Sequence, residues 1–459
     1  MAICNVIQRS QLEGSLRIEA EFYKPEDLSI VDKLRSLRSK EFNYYCVFVK
    51  KGIFDLPPTN YSDVGIPLIR TTEIKSLIAD LSSVVRIPLS VHNNNIKTQL
   101  EAGDIVFTKI GANIGDVSIL PSSEKFYNFS QNVAGAKINH NRVHPQYLAC
   151  FFSTRYGKSQ IKRIQMLSGQ GKLELIDIKK LLVPPATDSL QKKIAELYDA
   201  AENSLLNSKR LYTQAEQLLL SELGLQDWKP QHTLTYVRNY SQAARARRMD
   251  AEHFQPKYAE IVEHISAHQP QRLSKLATQT IETIRFDSSK TYRYIEISDV
   301  NTSNGEVGYT EREVKDLPPN AKIKVKGGEL IVSKVRPTRG AIGIVPDDCQ
   351  DNGVCSSAFV VLDVAPPVRE FLQVYLRSTI GRALLEQPCK GTSYPTIEDA
   401  DVRALPIPTI AIQTQERISE LVSRSHLARQ EAKALLEKAK RAVEIAIEEN
   451  EERAMEFIG

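Results

Sequence analysis

Lysine and arginine neutralise phosphate, arginine can pair with the edge of guanine, and asparagine or glutamine with adenine. Side chains of these types gather on a few polar stretches of the chain. Lys109, Asn113 and the pair Gln131–Asn132 form one group, and Lys334, Arg336, Thr338 and Arg339 form another. Two later glycine-bearing stretches carry the same signature. Leu167-Ser168-Gly169-Gln170-Gly171-Lys172 offers Lys172, and Cys389-Lys390-Gly391-Thr392-Ser393-Tyr394 offers Lys390, Thr392, Ser393 and Tyr394. Glycine lets a backbone come close to a phosphate. The plain alternative is that these are solvated loop residues. Lys109 and Lys334 stand in equivalent places and are the better phosphate candidates, whereas Tyr394 reads more naturally as a cap on the core than as a stacking ring.

Bond-breaking chemistry finds less support. The segment Gly169-Gln170-Gly171-Lys172 imitates a phosphate-binding loop, but the position five before Gly171 is Met166. No G-x-G-x-x-G opens a helix after a strand, and neither G-x-S-x-G nor H-E-x-x-H occurs. The four Pro-Pro pairs, at Pro57, Pro184, Pro318 and Pro366, lack the Asn/Asp and aromatic neighbours that a DNA amino-methyltransferase needs. Gly103–Asp104 followed by Lys109 reads as a strand-initiating turn, not as a nuclease centre. Cys4, Cys46, Cys150, Cys349, Cys355 and Cys389 show no C-x-x-C spacing, so no structural metal and no catalytic residue are expected.

The elements that position these groups occur twice. Arg17–Pro25 (RIEAEFYKP) returns as Arg248–Pro256 (RMDAEHFQP), 231 residues later. Gly103–Pro121 (GDIVFTKIGANIGDVSILP) aligns without a gap to Gly328–Pro346 (GELIVSKVRPTRGAIGIVP), at an offset of 225. Tyr147–Leu148 matches Phe371–Leu372, and Gln191–Leu197 matches Gln415–Leu421, both at 224. Four matches in one order, with so little drift, make the chain two copies of one unit. In each copy a Gly–acid turn leads into a strand, DIVFTKI or ELIVSKV, then a polar loop (111–116 or 336–340), then a second short strand.

Each globular part closes on proline, at Val183-Pro184-Pro185 and at Leu405-Pro406-Ile407-Pro408, and the period then changes to helical. Leu190 to Glu222 has neither Gly nor Pro and ends at Gly224. Gln413 to Glu452 carries Leu421, Ser425, Ala428, Ala432, Leu435, Ala439, Ala442 and Ala446 in alternating steps of four and three. At ~1.5 Å per residue these helices reach roughly 50 Å and 60 Å. Neither can bury its stripe alone, so they are expected to pair as an antiparallel coiled coil, the alternative being that each lies on its own globular part. The acidic run Glu448, Glu449, Glu451 and Glu452 reads as a solvated, fraying end. The expected class is α+β: two tandem duplicated mixed α/β domains, 1–185 and 226–408, separated by spacer helices at 186–225 and 409–459.

Composition agrees with a folded protein: 459 residues, 42% hydrophobic, 25% charged, net charge +4. No apolar run spans a membrane and the first residues lack a signal-peptide pattern, so a cytoplasmic location with reduced thiols is expected. Two binding units on a spacer suit a ligand touched at two places. DNA fits, because major-groove faces recur every ~34 Å.

The order and spacing of these elements resemble the specificity subunit of type I restriction–modification systems. The resemblance runs over essentially the whole chain: the early R-[IM]-[DE]-A-E element, the G-[DE]-[IL]-[IV]-x-[ST]-K strand, the late glycine loop, L-x-[IV]-P, and Q-[KE]-[KR]-I-[AS]-E-L opening a long helix. Copy one departs from the pattern in lacking an equivalent of Tyr394–Pro395. The resemblance implies two target-recognition domains, each reading half of a bipartite site in double-stranded DNA. It also implies two DNA adenine methyltransferase subunits and restriction/translocase subunits as partners. S-adenosylmethionine, ATP and Mg are then expected only on those partners, and no cofactor on this chain. Three alternatives stay open: the recognition part of another DNA-modifying or phage-defence assembly, a non-DNA-binding assembly scaffold with two protein-docking domains, and an enzyme with an unrecognised site.

Overall fold

The computed structural model of the chain describes residues 6–9, 12, 18–165, 171–391 and 393–459. It divides into two compact units, Met1–Leu205 with Arg429–Gly459, and Leu206–Ala428. Each unit thus contains one globular part together with stretches of both long helices.

The first unit is built on two four-stranded sheets. One runs Cys46–Lys51, Val133–Ile138, Ile105–Thr108, Val117–Ile119, and all its pairs are antiparallel. The other runs Val85–Ile87, Ile66–Ile69, Phe126–Phe129, Leu100–Glu101, with Ile66–Ile69 parallel to Phe126–Phe129. The second unit repeats this order strand for strand. Its first sheet is Thr278–Thr280, Phe359–Asp363, Leu330–Ser333, Ile342–Ile344. Its second is Thr310–Glu313, Thr291–Ile295, Gly353–Ser356, Ala321–Lys324, again with one parallel pair in the same place. The duplication read from four short matches therefore extends to the complete sheet topology.

The unbroken apolar run of the G-[DE] strand follows from its place between two cores. Ile105 and Phe107 pack toward the helices, while Val106 packs toward the second sheet. Leu330 and Val332 do the same on one face and Ile331 on the other. Side chains alternate along a strand, so a strand covered on both faces must be apolar throughout.

The turn that opens this strand is a structural device. Gly103 and Gly328 take φ of +87° and +88°, which favours glycine. The buried Asp104 carboxylate accepts from the backbone N–H of Glu101 (2.7 Å) and of Ile138 (2.8 Å). Glu329 accepts from the N–H of Lys326 (2.7 Å) and the hydroxyl of Thr280 (2.5 Å). Burial pushes the Asp104 carboxyl up to about 6 from an ordinary 3.8, against those two hydrogen bonds. The folded state therefore keeps its proton longer than the unfolded chain. This contribution to stability is complete below about pH 4 and is lost as pH rises through 6, with a slope of at most ~1.4 kcal/mol per pH unit. Urea unfolding of Asp104→Asn across pH 4–7 should lack this component. A profile parallel to that of the parent would refute it.

The first long helix spans Asp188–Glu222 and ends as read, with Gly224 at φ +66° and the Leu225 N–H donating to the Leu220 carbonyl. The second spans Ile412–Glu448. In the first unit the two run antiparallel, Ser204 meeting Glu431 while Thr187 meets Glu451. Leu190, Ile194 and Tyr198 share one core with Ala439, Ala442 and Val443, and that core continues into the globular part. In the second unit Leu211, Ala215 and Leu219 pack with Ile418, Leu421 and Val422, again continuous with the globular core. Pairing and packing on the globular part are thus combined. The Ser425 hydroxyl, on the seam, donates to the Ser208 carbonyl (2.8 Å), a buried polar contact that favours one register.

The acidic end differs from expectation. The helix stops at Glu448, and Asn450 caps a further helix, Glu451–Ile458, by accepting from the Arg453 N–H (2.9 Å). Ala454 and Ile458 return to the core of the first unit, Glu448 pairs with Arg155 (3.0 Å), and Glu451 accepts from the Thr187 N–H (3.0 Å). Glutamates at a new helix N-terminus are favourable, so this run is an ordered corner, not a frayed end.

Candidate nucleic-acid interface

In each unit three segments remote in sequence meet at the end of the G-[DE] strand, through matching backbone bonds. In the first unit the Lys109 N–H donates to the Asn132 carbonyl (2.9 Å), and the Leu173 N–H donates to the Lys109 carbonyl (3.0 Å). Ile110 bridges Lys172. In the second unit the Lys334 N–H donates to the Ala358 carbonyl (2.8 Å), the Ile397 N–H to the Lys334 carbonyl (3.0 Å), and Val335 bridges Thr396. Strand end, turn and late loop therefore converge twice on one plan, bringing together Lys109, Asn132 and Lys172, and likewise Lys334, Arg336, Ser393 and Tyr394.

The side chains on this plan differ. Lys109 is half-buried and has no ion pair among the described residues. Burial lowers its pKa, Glu174 opposes this, and Lys51 and Lys172 lower it further. Three ammonium groups are thus near one another around an unpaired lysine, an arrangement suited to an anion. Lys172 is exposed and pairs with Glu174 (2.6 Å). Beside this cluster lies a concavity of about 310 Å³ lined by Tyr61, Arg70, Thr71, Thr72, Gln131 and Asn132, among others. Arg70 is fixed there by Glu73 (2.9 Å), whose carboxylate also accepts from the Arg70 N–H (2.8 Å). Gln131 accepts from the Asp55 N–H at 3.4 Å, and Asn113 is exposed on the 111–116 loop.

In the second unit Lys334 is occupied internally. Its ammonium donates to Asp399 (2.8 Å), which also accepts from Gln279 (2.5 Å). Burial raises the Asp399 carboxyl, but these two hydrogen bonds outweigh it and hold the group below its ordinary value. Arg336 adopts a left-handed φ of +48°, and its N–H donates to the Pro395 carbonyl (2.7 Å). Its guanidinium lies 4.2 Å from the centre of the Tyr394 ring and donates to the Ser393 carbonyl (3.1 Å). Tyr394 is 67% exposed, so it does not cap the core: a hairpin closed by reciprocal Lys390–Thr396 backbone bonds lifts it to the surface. Arg339, Lys390 and Ser393 are exposed and Thr338 is half-buried, while Thr392 and residues 166–170 lie outside the described residues.

Sequence reasoning missed the supports of this surface. The repeated early motif clamps the helix that precedes the late loop. Arg248 pairs with Asp250 (2.6 Å) and donates to the carbonyls of Pro388 (2.9 Å) and Cys389 (2.8 Å), at the base of the Lys390 hairpin. In the first unit Arg163 donates to the Phe22 carbonyl (2.8 Å). Lys51 was also missed, although a Lys–Lys pair closing an apolar strand was visible.

Among the described residues no group of three or more His, Cys, Asp or Glu side chains is placed to hold a metal, and no helix is long and apolar enough to cross a membrane. The described thiols are free, and burial raises each of them, Cys389 to about 11 and Cys150 to about 12.

Residues 57–217 match the family described as the type I restriction modification DNA specificity domain. The chain belongs to the type I restriction–modification specificity family. A stretch of 115 residues, 24% of this chain, is 30% identical to the type I restriction enzyme HindI specificity subunit of Haemophilus influenzae and spans 25% of that protein's own length. Two crystal structures of S subunits overlay loosely. The one from M. genitalium gives a TM-score of 0.37 at 12% identity, covering 92% of this chain and 95% of that one. The HsdS subunit of Thermoanaerobacter tengcongensis gives 0.27 at 14% identity, covering 90% and 96%.

Proposed function

We propose that this member of the specificity family is a non-catalytic DNA-reading subunit. Residues 1–185 and 226–408 each read half of a bipartite site, and the helices at 186–225 and 409–459 act as spacers. On this reading two adenine methyltransferase subunits and the restriction/translocase subunits join it on double-stranded DNA. S-adenosylmethionine, ATP and Mg belong to those partners. The observation that carries the reading is the twice-built convergence of strand end, turn and late loop, one backbone plan presenting different side chains. Lys51, Lys109 and Lys172 with Gln131 and Asn132 stand on one copy, Arg336 and Arg339 with Tyr394 on the other. A shared scaffold with unlike tips is what two unlike half-sites need.

The test is co-expression with the neighbouring methyltransferase and single-molecule mapping of methylated adenines. A bipartite motif is expected, and only one of its halves should change when residues 1–185 are exchanged for those of another family member. A stable methyltransferase complex with no motif would replace this reading with that of a scaffold. Salt dependence gives a second check. Lys109→Ala should flatten the slope of log affinity against log salt by about 0.9 if that ammonium meets a phosphate, and leave it unchanged if it does not.

A further inference from the structure

We infer that Arg377 is the positioning residue for the Arg336–Gly340 turn, and that Tyr212 of the first long helix holds Arg377 in place. The inference rests on the reading above, in which that turn touches DNA. Arg377 is 6% exposed, a rare state for a guanidinium. Its Nε donates to the Tyr212 hydroxyl (2.8 Å), its Nη1 to the carbonyls of Gly340 (2.5 Å) and Ile342 (3.2 Å), and its Nη2 to the carbonyl of Thr302 (3.1 Å). One rigid, planar group thereby ties two loops to the helix.

The neighbouring packing leaves little freedom. Gly340, at φ +76°, closes the turn, and a Cβ there would lie 3.7 Å from Cδ of Arg382. A Cβ on Gly305, in the adjoining loop, would stand 2.7 Å from the Ile342 carbonyl oxygen and 3.0 Å from Nε of Arg377. Glu216, one helical turn after Tyr212, supplies negative charge. Burial raises its carboxyl, and Arg382 and Arg377 act against that shift. The guanidinium is therefore fixed by donors, packing and charge together, and the carbonyls that it fixes belong to the turn carrying Arg336 and Arg339.

The first unit has no such tie. At an offset of 224 from Arg377 stands Ser153, and at the same offset from Tyr212 stands Leu436. Its tip loop is held instead by Gln165, whose amide donates to the Ile114 carbonyl (3.0 Å). A change at Tyr212 should therefore be felt at the half-site read by residues 226–408 and not at the other.

The experiment uses the full chain in complex with its methyltransferase, with Tyr212→Phe, which removes one hydroxyl, and Arg377→Lys, which keeps the charge but not the fork. Discrimination at that one half-site, read from methylation frequencies, is expected to fall about tenfold in both variants, within the usual effect of a lost contact, while the other half is unchanged. Amide exchange should quicken at Arg339 and Gly340 and stay as in the parent at Gly115 and Asp116. A merely structural role would lower the melting temperature without altering the ratio between halves. If Arg336→Ala relaxes the half-site while Tyr212→Phe and Arg377→Lys do not, the inference is overturned and the reading stands. If Arg336→Ala and Arg339→Ala also leave both halves unchanged, the reading itself fails and the inference with it.

Discussion

Alanine at Gly381 should destabilise residues 206–428 by about 3 kcal/mol or more, because the corner it occupies has no room for a methyl group. Helix Val368–Arg377 ends and helix Thr379–Glu386 begins with only Ser378 between them. The Ser378 hydroxyl accepts from the Gly381 N–H at 3.2 Å, folding the second helix tightly over the last turn of the first. A Cβ on Gly381 would run into the carbonyl oxygen of Tyr375 and lie 2.6 Å from the Leu376 Cα. Retreat is blocked, because the Tyr375 hydroxyl is anchored on the Pro406 carbonyl (2.8 Å). The first unit repeats the corner. Thr154 accepts from the Gly157 N–H (3.2 Å), and a Cβ on Gly157 would stand 2.5 Å from both the Phe151 carbonyl oxygen and the Phe152 Cα. Gly157→Ala should carry a similar penalty. Ser378→Ala, which removes the cap alone, should cost about 1 kcal/mol. Denaturant unfolding of the full chain measures all three, and a Gly381→Ala midpoint indistinguishable from the parent would show that the corner is looser than its geometry.

This corner was not legible in the sequence beyond the match of Tyr147–Leu148 to Phe371–Leu372. The spacing Thr154-x-x-Gly157 and Ser378-x-x-Gly381 recurs at the same offset, but a Gly three residues after a cap is ordinary until the preceding helix is known to crowd it. What could be read were features written in local order: the period change after each proline hinge, the stop at Gly224, and the apolar strand after each Gly–acid turn. What could not be read were contacts closed over long loops. Lys109 and Lys334 occupy equivalent positions and were read alike, yet Lys334 is neutralised by Asp399, 65 residues later. Arg377 looks like the polar end of an amphipathic helix and is buried because Tyr212, 165 residues earlier, comes to meet it. The acidic end misled for a simpler reason: Asn450 is a cap signal in the middle of an apparent helix, and the regular heptad before it drew attention away.

Replacing Arg336 and Arg339 together by alanine should weaken binding at one half-site about a hundredfold, at 1–3 kcal/mol for each good pairing with a base edge. The two arginines differ in preparation. Arg336 is held in advance: its left-handed backbone is pinned by Pro395, and its guanidinium rests on the Tyr394 face with one N–H given to Ser393. Such ordering lowers the entropy lost on binding, so Arg336→Lys, which loses the planar fork and the stacking, should be nearly as damaging as Arg336→Ala. Tyr394→Ala should cost less, about 1 kcal/mol, because it removes the support and not the reader. Arg339 is exposed and unpaired among the described residues, and it is the freer of the two to follow a phosphate. The two kinds of contact separate under titration with salt. Loss of a base contact relaxes the motif at one position and leaves the salt slope in place, whereas loss of a phosphate contact weakens all sequences alike and reduces the slope by about 0.9. Arg336→Ala is expected to give the first pattern and Arg339→Ala the second. A methylation motif and an affinity both unchanged in the double variant would remove this turn from the DNA surface and leave the exposed Lys390 hairpin as its remaining reader in the second unit.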